Sequence, residues 1–181
     1  MSHFYSKAVL ACALLTVSSA AFAQSATSAT YDNWTVRCST REEEGKKLKG
    51  CQVDSTAFVK LQSGQTAPIM GLTLQRPDPT KPMRFHANVQ LMSSIKEGVR
   101  IQGADGKDIL VLNYEMCRQD LCETWAEVKD NQIQALKKLE NMVVIYKGWT
   151  QQNGMQDVRM EVSLKGFNEA YDAMMKEISG K

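Results

Sequence analysis

From Trp34 onward the chain alternates apolar and polar residues with a period of two, and this pattern limits the fold more than any other feature. Trp34-Thr-Val-Arg-Cys38 shows it, as do Ile69 to Leu74 and, less cleanly, Phe85 to Leu91. Side chains on a strand point to opposite faces in turn, so such runs are half-buried strands. Val99 and Ile101 point one way and Arg100 and Gln102 the other. Ile109 to Leu112 is an unbroken apolar run, expected as a strand buried on both faces. Further strands are expected at Glu123 to Lys129, Val143 to Lys147 and Val158 to Leu164. Ala104-Asp105-Gly106-Lys107 reads as a hairpin turn. Pro77, Pro79 and Pro82 mark a loop, because proline cannot donate to a ladder.

Two segments have helical periodicity. Asn131 to Glu140 carries Ile133, Leu136 and Leu139 at intervals of three. Phe167, Ala170, Tyr171, Met174, Met175 and Ile178 follow three-four spacing, with Glu169, Asp172, Lys176 and Glu177 opposite. Such a stripe normally covers a sheet face. The expected fold is therefore mainly all-β: an antiparallel β-sandwich with a C-terminal α-helix and a short additional helix.

The N-terminus gives an address. Lys7 precedes the apolar run Ala8 to Val17, and Ala21-Phe22-Ala23 fits a small-x-small cleavage site. Together these read as a secretory signal peptide over residues 1–23. The run is shorter than the roughly 20 apolar residues needed to span a bilayer. Cys12 as a lipid-attachment residue fits less well, because Leu10 is bulky where such signals place a small residue. Residues 24–30 (QSATSAT) are expected to be a flexible leader, and residues 31–181 a single β-sandwich domain. No later segment has the length or apolarity of an integral membrane span.

Five cysteines are present, and Cys12 falls within the signal. Cys38, Cys51, Cys117 and Cys122 remain, an even number in an exported chain, which reads as two disulfides. Three pairings are possible. The local one, Cys38–Cys51 with Cys117–Cys122, is favoured because each pair brackets a polar, turn-like stretch. Loop closure gives about 3 kcal/mol for the first and about 2 for the second. Zinc sites usually use cysteine pairs two to four residues apart, and these spacings are longer. A Cys-x-x-Cys redox motif is absent.

Catalytic signals are sparse. Beyond the signal segment the one histidine is His86, in a strand-like run, where a structural role is the ordinary expectation. No Gly-x-Ser-x-Gly elbow, phosphate loop or dinucleotide fingerprint occurs. Asp105, Asp108, Glu115, Asp120, Glu123 and Glu127 are scattered acids; a glycosidase would need two about 5–10 Å apart across a cleft. No catalytic, metal or cofactor-binding residue is therefore assigned, and no cofactor is expected. The formal net charge of +2 gives no concentrated basic face for nucleic acid. Glu42-Glu43-Glu44-Gly45-Lys46-Lys47-Leu48-Lys49, acid followed by base, reads as a solvated hairpin tip, or else as a constrained contact loop.

Several of these pieces occur together in one known family. Tyr31-Asp32-Asn33-Trp34-Thr35-Val36-Arg37-Cys38 resembles the opening of the invasion-associated locus B family, and Cys51-Gln52-Val53 resembles its second cysteine leading into a strand. Cys117 and Cys122 resemble its close cysteine pair. Ser163-Leu164-Lys165-Gly166-Phe167-Asn168-Glu169-Ala170 resembles its closing Ser-Leu-x-Gly-Phe-x-x-Ala signature. Two departures fall in loops: Leu121 stands where the family has Gly, and Ile95-Lys96-Glu97-Gly98-Val99 where it tends to have Leu-Pro before the Gly-Val strand. The resemblance implies an exported protein of Gram-negative bacteria, periplasmic or outer-membrane-associated, linked in pathogens to host-cell invasion. It brings no catalytic residue or cofactor. The expected function is a non-enzymatic envelope protein with a protein or envelope partner. The alternatives are a small-molecule-binding module with its ligand between the sheets, and a carboxylate-based hydrolase.

Overall fold

In a computed structural model, residues 26–60, 64–90, 93–118, 121–150 and 154–180 are described. The expected signal peptide and its cleavage site lie outside them. The strands are β1 (Ala26–Tyr31), β2 (Trp34–Glu43), β3 (Lys46–Lys60), β4 (Thr66–Arg76), β5 (Arg84–Gln90), β6 (Val99–Gln102), β7 (Asp108–Cys117), β8 (Leu121–Glu127), β9 (Asn141–Thr150) and β10 (Gly154–Ser163). The helices are α1 (Asp130–Lys137) and α2 (Phe167–Ser179). Every pairing is antiparallel, in the order β1-β2-β3-β4-β5-β8-β7-β6-β9-β10.

The fold class matches the reading from alternation. β5 shows the reason plainly: Phe85, Ala87 and Val89 are fully buried, while Arg84, His86 and Asn88 face outward. The sheet bends back on itself around one core that takes Trp34, Val53, Leu72, Leu74 and Phe85 from its first half and Ile101, Leu112, Met142 and Val144 from its second. The Trp34 indole Nε1 donates to the Ser163 carbonyl at 3.1 Å, so β2 meets the end of β10.

Three local expectations need correction. Residues 26–30, read as leader, belong to β1, which pairs with β2 from Ala26↔Ser39 to Tyr31↔Trp34. Small polar residues carry no amphipathic signal, and β2's edge supplies the order. Second, β7 is not buried on both faces: Leu110 and Leu112 are buried, but Val111 between them is 43% exposed. Third, β2 and β3 run much further than their apolar stretches. The charged segment closes a hairpin in which Glu42 opposes Lys47 and Glu43 opposes Lys46. Glu44 and Gly45, at φ 52° and 74°, form its turn, the left-handed pair that tight hairpins require.

Candidate functional site

Cys38 and Cys51 are direct register partners on β2 and β3, with Cα atoms 4.1 Å apart, and are joined as a disulfide. Cys117 and Cys122 are likewise opposite on β7 and β8, 3.9 Å apart, and joined. Close opposition of this kind is the non-hydrogen-bonded pair of an antiparallel ladder. β4 and β5 lie between the two bonds in the sheet order, so the four cysteines do not share one site.

The residues matched to the closing family signature converge on the junction of β10 and α2. Gly166 has φ +85°, and a Cβ there would sit 2.1 Å from the Tyr31 carbonyl oxygen. The turn therefore presses against the β1–β2 connection, where Lys165 pairs with Asp32 at 2.9 Å. Phe167 follows directly, fully buried, with its ring edge-on to Trp34 at 5.0 Å. Ala170 and Met174 continue the buried stripe, and Tyr171 and Ile178 border it. α1 braces the outside of α2: Lys137 pairs with Asp172 at 2.7 Å, and its carbonyl accepts from Asn168. These residues seat a helix; none presents a reactive group.

His86 lies on the outer face of the sheet. Asp54, Thr73, His86, Trp125 and Asn113 are successive register partners across β3, β4, β5, β8 and β7. Thr73 donates to Asp54 at 2.7 Å, and Arg37 pairs with Asp54 at 3.0 Å. The His86 ring contacts the Gln75 amide at 2.6 Å and stacks on Trp125. Arg84 covers that indole at 4.3 Å, and the Trp125 Nε1 donates to Glu115. Burial pushes the His86 pKa down, the Arg84 charge adds to this, and Glu123 opposes it. The ring is thus neutral at pH 7 and held by an amide and an indole, with no nucleophile among these contacts. Alternation placed His86 on this face; the hydrogen-bonded band around it requires strand order, which the sequence does not display.

The scattered acids have separate tasks. Asp105 accepts the Lys107 backbone N–H in its turn, which holds its carboxyl below the usual range. Asp108 accepts from Gln102, and Glu123 pairs with Arg118. Glu127 opposes Arg84 in register. Asp120 lies outside the described residues. Asp78, not singled out in the sequence, is 2% exposed; it accepts the Thr80 N–H and hydroxyl and faces Arg41 at 3.5 Å. Side-chain donation from Thr80 leads in holding its pKa below the usual range. Asp78 organises the proline loop.

An open groove of about 460 Å³ separates Asp54–Phe58 of β3 from Met160–Ser163 of β10, with Thr35 and Arg37 at one side. β2 begins at Trp34, so Ser55 to Lys60 have no β2 partner, and Phe58 is 63% exposed. Among the described residues no three His, Cys, Asp or Glu side chains form a metal-sized cluster. No helix there is long and apolar enough to cross a membrane.

These features define a disulfide-stapled, mainly antiparallel β protein closed by a C-terminal helix. The family model of the invasion associated locus B (IalB) protein matches residues 34–175, and the chain belongs to that family. The crystal structure of invasion associated protein b from Bartonella henselae superposes with a TM-score of 0.66, covering 85% of this chain and 98% of that one at 16% identity. At that identity the likeness is one of fold. No curated protein sequence matches the chain.

Proposed function

We propose that this chain is exported, loses residues 1–23, and acts in the periplasm or at the outer membrane as a non-enzymatic interaction protein. In a pathogenic host bacterium, that contact would support invasion of host cells. One observation carries the reading: the residues that mark the family build disulfides and a helix seat, so any activity falls to the surface laid over them. Two disulfides in a family of this kind suit an oxidising compartment. The space between the layers is filled by Trp34, Phe85, Phe167, Leu112 and Met142, which gives a ligand enclosed between the sheets little support. The test is to sequence the N-terminus of protein from a periplasmic fraction, then to crosslink the mature protein in intact cells and identify what it captures. A Gln24 start with an envelope protein captured repeatedly supports the reading. An intact Met1 start, or hydrolysis of an envelope substrate by the purified protein, defeats it.

A further inference from the structure

β10 is an edge strand of ten residues, paired with β9 from Gly154↔Thr150 to Ser163↔Asn141 without a register shift. It contains no proline or bulge, and its only edge guards are the charges of Asp157, Arg159 and Glu161, which block pairing except with a strand whose charges complement them. Its backbone polarity can be read from the bonds at its end. Leu164 N–H donates to Glu140, so even-numbered residues point toward β9. Ser163 is turned outward and its carbonyl is taken by Trp34. Met155, Asp157, Arg159 and Glu161 also point outward, and among the described residues their outward N–H and C=O groups have no partner.

The side chains of these four lie on the exposed face, and their charges alternate: Asp157, Arg159, Glu161. Asp157 reaches Arg100 at 3.6 Å and Glu161 accepts from Asn141. Arg159 has no ion pair among the described residues. An antiparallel strand of the same sequence, related by a two-fold axis at Val158, sets Asp157 opposite Arg159 of the second copy, and the reverse. Both free guanidinium groups then gain a carboxylate. A two-fold at Arg159 would instead set Asp157 against Glu161. A two-fold at Met160 would use Ser163, already bonded to Trp34. Opposite charges facing across a ladder stabilise it and like charges oppose it. The other edge, β1, has six residues and no charge among them. At the Met160–Ser163 end of β10 an open groove separates this edge from β3.

We infer that β10 is a self-complementary edge through which two copies of this chain pair, antiparallel about Val158, into an isologous dimer. Such an interface uses one surface twice and extends the sheet by main-chain bonds. It requires neither export nor a host.

The experiment is sedimentation equilibrium of the mature protein from micromolar to about 200 μM, within reach of an affinity in the micromolar range. Wild type should show the dimer mass. R159E turns the edge wholly acidic and D157K/E161K turns it wholly basic. Each alone should associate at least tenfold more weakly, while keeping the wild-type circular dichroism and, at a dilution where wild type is also monomeric, the wild-type urea midpoint. An equimolar mixture of the two should restore the dimer mass. A wild type that stays monomeric throughout overturns the inference, as do variants that dimerise normally or a mixture that does not associate. R159P removes an outward N–H without touching the β9 ladder; a dimer undisturbed by it also counts against β10.

Discussion

A methyl group added at Gly166 would meet the Tyr31 carbonyl oxygen at 2.1 Å, in a backbone conformation at φ +85° that side chains disfavour. Both costs act together, because the turn that needs the left-handed conformation also touches β1. Gly166→Ala should therefore lose at least about 2 kcal/mol, beyond the roughly 1 kcal/mol typical of a point mutation, and a urea titration measures it. The next residue carries a different load. Phe167 is fully buried against Trp34, so Phe167→Ala should cost about 3–5 kcal/mol, and Met174→Ala about 2–5. Near-wild-type midpoints in both would mean that the stripe is not core. His86 adds a pH dependence. Its pKa is lowered on folding by burial first, so the unfolded chain binds the proton more readily. Stability is then full above the ordinary histidine value of about 6.5 and falls as pH drops through it toward the folded value. His86→Gln should flatten that part of the stability-against-pH curve.

Among the elements, the β2–β3 hairpin is long, charged at its tip and stapled low down by Cys38–Cys51. The staple restricts the unfolded chain more than it adds contacts. Cys38→Ala and Cys51→Ala should each cost about 2–5 kcal/mol. The double variant should cost little more, since either single change already removes the one bond. Urea midpoints for the three variants, with free thiols counted in the singles, check this. The hairpin's acid-then-base run is explained by register: residues summing to 89 face each other, so Glu42 and Glu43 meet Lys47 and Lys46. Lys49 then contacts Glu177 of α2, which ties the hairpin to the terminal helix. The run thus faces itself across the ladder, but its side-chain ion pairs among the described residues go elsewhere: Glu43 to Arg41 at 3.2 Å and Lys49 to Glu177.

For the whole molecule, strand and helix positions were legible because burial on one face imposes a period of two on strands and three to four on helices. Phe85-His86-Ala87 and Phe167–Ile178 carry that period undiluted. β1 and the outer parts of β2 and β3 were not legible, because hydrogen bonding to a neighbouring edge holds them and leaves no apolar pattern. The cysteine spacing favoured local pairing without excluding the others; the two bonds seen in the fold follow from register across adjacent strands. Local sequence thus determined most of the strands, both helices and, where the alternation is clean, their inward faces. Tertiary structure decided what adjacency alone can decide: the strand order that stacks His86 on Trp125, the curl that brings Trp34 to Ser163 and Phe167, and the choice of β10 as an open edge. Each depends on residues far apart in the chain, and periodicity is blind to which strand lies beside which.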